Sequence, residues 1–121
     1  MAKTASSGVH RLNHASEFDT VFKQATYRTS CNEFLLLAVE NDRSISRLGM
    51  VVSKRVAGTS VNRNRIRRLI RESFRLGFDV KGLDIVIVAR PTSGKMENAR
   101  MNHALTDMWS RLSATLMRKN Q

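Results

Sequence analysis

Apolar residues along this chain alternate between two spacings, one that suits a helix and one that suits a strand. In SEFDTVFKQ, Phe18, Val21 and Phe22 recur at i, i+3 and i+4, which puts two rings on one face of a short helix. Ser16 followed by Asp19 predicts its cap, with Asp in the place a capping box usually gives to Glu. TYRTS, residues 26–30, reads as a short edge strand and NEFLLLAVE, residues 32–40, as a stronger one, with NDRS turning the chain after it. RLGMVVSKR, residues 47–55, alternates Leu48, Met50 and Val52 against Arg47, Gly49, Val51 and Ser53, the two-residue period of a sheet strand.

Gly58 then breaks the strand, and Thr59 or Ser60 can cap a second helix that runs to about Leu76 and stops at Gly77. LDIVIVARP, residues 83–91, is a nearly continuous apolar strand closed by the only proline. From about Glu97 to Lys119, a helical stripe holds Met101, Leu105, Met108, Trp109, Leu112 and Leu116 and reads as core rather than as a ligand groove. The predicted order is αβββαβα, an α+β chain without repeats or an interdomain linker. Residues 1–11 are small, polar and basic and are expected to be disordered, which leaves a single domain over residues 12–119.

Charge changes this picture. A formal net charge of +11 on 121 residues costs self-repulsion, which a polyanionic partner relieves. Nucleic acid, an anionic membrane and an acidic protein all qualify on that ground. No apolar run approaches the roughly 20 residues of a bilayer span, and the N-terminus lacks the apolar region of a secretory signal. The single cysteine, Cys31, excludes an internal disulfide, which suits a reducing cytoplasm. With that Cys and three scattered His, at 10, 14 and 103, no zinc constellation is available.

Most of the charge question sits in VNRNRIRRLIRESFR, residues 61–75, where six arginines accompany one glutamate. On a helical wheel Ile66, Leu69, Ile70 and Phe74 share one side. Asn64, Arg67, Arg68, Arg71 and Arg75 share the other, with Arg65 and Glu72 near its edge. Burial of the apolar side would hold the helix, whereas like charges one turn apart cost about 0.2–0.5 kcal/mol per pair. Glu72 can relieve only the part due to Arg68 and Arg75. Arginine rather than lysine favours phosphate, because its planar fork binds bidentately and stacks on bases. A basic amphipathic helix can also lie on a membrane, but this one's apolar side is needed for the core.

SKR followed by RNRIRRLIRESFR resembles the protein subunit of bacterial ribonuclease P, whose hallmark is the RNR motif on a basic helix. The similarity extends to RLGMVVSKR before the motif, DIVIVARP after it and EFDTVF at the start. It implies a non-catalytic subunit of a ribonucleoprotein endoribonuclease, in which a large RNA removes the 5′ leader of precursor tRNA. It further implies that Arg63, Asn64, Arg65, Arg67, Arg68 and Arg71 contact the catalytic RNA. Phe18, Phe22, Ser53, Lys54 and Arg55 would then border a cleft for the leader. Magnesium would act mainly through the RNA, with no tight metal site on the protein. The implied fold is that of the second domain of ribosomal protein S5: a central mixed sheet with a left-handed β-α-β crossover, where general rules would make it right-handed. Two departures stand out, Ser60 where the family often has Ala before the motif, and Leu37 where some members offer the cleft an aromatic.

Two other functions fit parts of the sequence. A ribosomal-type RNA-binding module explains the charge and the element order, but leaves the Phe18/Phe22 pair and the motif's surroundings as coincidence. A self-sufficient nuclease needs clustered carboxylates. The ten acidic residues are scattered, and only Glu17/Asp19 and Glu40/Asp42 stand close.

Overall fold

The computed structural model describes residues 9–119. Five strands and three helices follow one another as β1 (His10–Arg11), α1 (Ala15–Gln24), β2 (Tyr27–Ser30), β3 (Phe34–Glu40), β4 (Arg47–Val51), α2 (Ser60–Gly77), β5 (Leu83–Ala89) and α3 (Asn98–Lys119), with a 3-10 turn at Pro91–Lys95 before α3. They form a single α+β domain with one mixed sheet in the order β1-β4-β5-β3-β2. β1, β4 and β5 run parallel, while β3 is antiparallel to both β5 and β2. β4 and β5 are thus parallel neighbours joined through α2, the connection that a crossover requires.

The two-residue period sorts each strand's side chains onto two faces. Phe34, Leu36 and Ala38 of β3, Leu48 of β4 and Leu83, Ile85 and Ile87 of β5 face α2 and α3. They meet Ile66, Leu69, Ile70 and Phe74 from α2, and Met101, Leu105, Met108, Trp109, Leu112 and Leu116 from α3. These are the two apolar stripes of the sequence. Phe74, Phe78 and Trp109 close this layer as a ring cluster with centroids 5.3–5.7 Å apart. The indole N–H of Trp109 donates to Ser73 Oγ at 2.9 Å, so the buried donor is satisfied.

Among the described residues, α1 is the one helix on the opposite face. Leu12, Val21, Leu37 and Val86 are its buried residues, and Phe18, Leu35, Val39, Val51 and Val88 stay half-buried around them. So small an apolar contact is supplemented by charge. Arg47 and Asp84 face each other in the β4–β5 register. The Arg47 fork grips Asp84 through Nε (2.9 Å) and Nη2 (2.7 Å), while its Nη1 reaches Glu17 of α1 at 2.7 Å. Asn41 adds a bond to Asp84 at 2.8 Å.

Three expectations are corrected. His10 and Arg11 lie in a strand rather than in a disordered tail, because the chain pairs with β4 before turning into α1; residues 1–8 of that expectation lie outside the described residues. The cap of α1 is built by Glu17, not by Ser16 and Asp19. Its Oε1 accepts from the amides of Asn13 and His14 at 2.9 and 3.0 Å, so the helix begins sooner than the Ser16 signal suggests. Gly77 is still helical, and the following Phe78 is extended, so the helix ends without a left-handed glycine.

Candidate nucleic-acid interface

α2 begins where Thr59 Oγ1 accepts from the Asn62 amide at 3.1 Å. With its apolar stripe committed to the core, it turns its arginines outward. The motif arginines divide into two sets. Arg63 folds back on the loop before the helix, donating from Nη1 to the carbonyls of Ala57 (3.0 Å) and Gly58 (3.3 Å). Arg65 donates to Asn62 Oδ1 at 2.8 Å, to the Met96 carbonyl at 3.0 Å and to Asn98 Oδ1 at 2.6 Å. Both therefore fasten the start of α2 to its surroundings, Arg65 reaching as far as the start of α3.

Further along, the arginines are freer. Arg67 makes one long bond, 3.3 Å, to the exposed Asn64. Arg68 and Arg71 have no hydrogen-bond partner among the described residues, and Arg68 is exposed. Arg75 pairs with Glu72 at 2.7 Å, and that bond, with Arg71 and Arg68 nearby, holds the Glu72 carboxyl below its usual range. The wheel foresaw the basic face but not the difference between a tied and a free guanidinium.

A close approach of two loops stiffens this end of the molecule. A Cβ on Gly94 would lie 1.9 Å from the carbonyl oxygen of Val56, so only glycine lets the turn Pro91–Lys95 touch the loop that leads into α2. Asn62 Nδ2 adds a bond to the Gly94 carbonyl at 2.9 Å. Ser53, Lys54 and Arg55 are exposed in that loop, just past β4. Arg55 faces a groove bordered by Pro91, Lys95 and Arg100.

On the other side of the sheet the two phenylalanines of α1 differ. Phe18 is half-buried and lies on β4 at Gly49, where a Cβ would come within 2.7 Å of its ring. Phe22, one turn later, is 46% exposed. Gly49 is thus what allows a ring to rest on the strand, and nothing in its sequence context marks it out. Leu37 is buried beneath α1. The Asn13 and His14 amides, helped by Arg47, pull the Glu17 carboxyl down to about 2. Burial pushes Asp84 the other way, but the bonds from Arg47 and Asn41 outweigh it and leave this carboxyl low as well.

Among the described residues no three His, Cys, Asp or Glu side chains gather to hold a metal ion, and no helix is long and apolar enough to cross a membrane. A basic helix packed on one face of a mixed sheet, with α1 and its two phenylalanines on the other, defines an α+β protein with a cationic outer face. A sequence model of the family described as Ribonuclease P matches residues 7–113. A "Ribonuclease P protein component" from Marinomonas sp. (strain MWYL1) is 38% identical over 112 residues, covering 92% of this chain and 85% of that one. Another, from Pseudomonas fluorescens (strain Pf0-1), is 43% identical over 104 residues, covering 85% and 78%. The fold agrees with the solved RNase P proteins of Staphylococcus aureus (TM-score 0.76, 25% identity, 87% and 95% of the two chains) and Thermotoga maritima (0.73, 29%, 84% and 96%). The chain belongs to the ribonuclease P protein family.

Proposed function

We propose that this chain is the protein subunit of a cytoplasmic ribonuclease P ribonucleoprotein, in which an RNA performs the cleavage that removes the 5′ leader of precursor tRNA. The observation that carries the reading is the outer face of α2. Its apolar side is spent on the core, so Arg67, Arg68 and Arg71 remain as a cationic row whose only hydrogen bond among the described residues is the long one from Arg67 to Asn64, on a helix tied at its start by Arg63 and Arg65. Such a row suits the phosphates of the catalytic RNA. Arg63, Asn64 and Arg65 support it, the two arginines by fixing the helix start.

The leader falls to the α1 side. Phe22 offers an exposed ring on which a base can stack, worth roughly 1–3 kcal/mol per base without regard to sequence. Phe18 lies one turn earlier, half-buried on Gly49, and the exposed Ser53, Lys54 and Arg55 supply polar and cationic groups past the end of β4. Mature tRNA lacks a leader, so these contacts favour precursor over product. Magnesium acts through the RNA, and the protein's cations lower the amount required by offsetting phosphate repulsion between two RNAs.

Reconstitution with a candidate catalytic RNA and precursor tRNA at low magnesium tests this. The complex should cleave where either component alone does not, and cleavage by RNA-free protein would end the reading. Arg68→Ala should weaken RNA binding and flatten its salt dependence by about one ion, with an unchanged melting curve. Recovery of ribosomal RNA in place of one long catalytic RNA on co-purification would favour a ribosomal-type module instead.

A further inference from the structure

Arg65 is held by acceptors that carry no charge. Its Nε donates to Asn62 Oδ1 at 2.8 Å, and its Nη1 donates to the Met96 carbonyl at 3.0 Å and to Asn98 Oδ1 at 2.6 Å. Asn62 lies in the first turn of α2, Met96 follows the 3-10 turn, and Asn98 opens α3. Asn62 is fixed in its own right, because its Nδ2 donates to the Gly94 carbonyl at 2.9 Å and its amide to Thr59 Oγ1 at 3.1 Å. The Asn98 side chain has one hydrogen bond among the described residues, the one from Arg65. No carboxylate pairs with Arg65 among the described residues, although Glu97 stands beside Asn98 in the chain.

A guanidinium is a rigid planar fork of five N–H donors, and the two on Nη2 take no part in these bonds. Arg65 is only partly exposed, yet among the described residues no buried side-chain nitrogen lacks a partner, so its Nη2 reaches the solvent. Because the fork is planar, fixing Nε and Nη1 also fixes where Nη2 stands. The positive charge stays in place, since amide and carbonyl oxygens do not neutralise it. A carboxylate at either asparagine would hold the fork more firmly through a charge-assisted bond, but would cancel the charge. A staple that served only to join α2 to α3 would gain from that exchange. Neutral amides suit a cation that is aimed and kept available.

We propose that Asn62 and Asn98 are positioning residues that aim Arg65 Nη2 at a phosphate of the bound RNA. The inference rests on the RNA-binding reading of α2 given above, and it extends recognition beyond the motif helix to the start of α3. Asn98 lies 33 positions past Arg65 and acts through it, without touching RNA itself. Arg65 then has two duties, tying the helix start and presenting one nitrogen in a fixed place. Arg68, exposed and without a hydrogen-bond partner among the described residues, offers charge without that aim.

Binding of the full chain to ribonuclease P RNA from the same organism, measured across a salt series, provides the test. Asn98→Ala keeps the charge and loosens the aim. Its affinity should fall about threefold to tenfold, the range that ordering one long side chain costs, with the salt slope unchanged. Asn98→Asp keeps the acceptor but cancels the charge, so affinity should fall and the slope flatten by about one ion while the melting temperature holds or rises. Ala99→Asp puts the same charge on the next residue, which faces another way on the helix, and should weaken binding less. In an Arg65→Ala background Asn98→Ala should have no further effect, the coupling that a double-mutant cycle reads. Asn62→Ala should show the same loss and the same coupling. Wild-type affinity in Asn98→Ala, additive losses in the double variant, or equal losses in Asn98→Asp and Ala99→Asp would each overturn the positioning role, and the two Asp variants decide it even where Arg65→Ala does not fold. Weaker binding by Arg68→Ala without coupling between Arg65 and Asn98 would overturn this inference alone. Unchanged binding by Arg68→Ala would remove the RNA-binding reading of α2, and this inference with it.

Discussion

The two faces of the sheet are built on different principles. On the α2/α3 side, large side chains from four strands and two helices interlock, and Ile66, Ile70, Ile87, Leu105, Met108 and Trp109 are covered almost completely. On the α1 side four buried residues suffice, and a charged triad of Arg47, Asp84 and Glu17 completes the attachment. An apolar contact spreads over everything it touches, whereas a forked arginine fixes one point and leaves the surface next to it uncovered. The thin side can therefore keep Phe22 exposed and Phe18 half-buried without losing the helix that carries them.

The sharpest way to break this contrast is from the thick side. Trp109→Ala should cost about 3–5 kcal/mol in urea denaturation, since it empties the ring cluster and leaves a cavity beside Phe74 and Phe78. On the thin side Arg47→Met should cost less, about 2 kcal/mol, because the three charges keep some access to water. Adding Asp84→Leu and Glu17→Gln to that variant should recover most of the loss, which would show that the cost comes from stranded charges rather than from the pair's own strength. Gly49→Ala should displace the Phe18 ring and lose about 1–2 kcal/mol by overpacking. Phe22→Ala should change stability by no more than about 0.5 kcal/mol, yet weaken binding of leader-bearing precursor while sparing mature tRNA.

The smallest effect is in the acid limb. Glu17 is held near 2 when folded, against an ordinary value of 4.5. A depressed carboxylate stabilises the fold above its unfolded value and loses that contribution as pH falls towards the folded one. Melting temperature should therefore decline between about pH 5 and 2, and Glu17→Gln should make that decline shallower.

What could be read from the chain is what repeats within one element. The stripes of α2 and α3 each recur every three or four residues, and the same residues are the ones buried. What could not be read depends on partners far apart in sequence. Arg47 and Asp84 are 37 positions apart, and only the β4–β5 register brings them together. A signal was present all the same: each is a lone charge at the start of an otherwise apolar strand, with opposite sign. The tie between Arg65 and Met96, and the contact of Gly94 with Val56, carry no such mark, because both involve main-chain atoms that every residue has. The same holds for β1, whose two residues pair through the backbone alone.

The tethering of Arg65 has a thermodynamic consequence. A free arginine side chain carries about 2 kcal/mol of rotamer entropy, which a phosphate must freeze out on contact. Arg65 has surrendered that freedom before any RNA arrives, whereas Arg68 retains it. In the proposed complex, Arg65 would meet a phosphate already ordered and Arg68, one turn away on the same helix, would be ordered by the encounter, which would divide calorimetric enthalpy and entropy unequally between them.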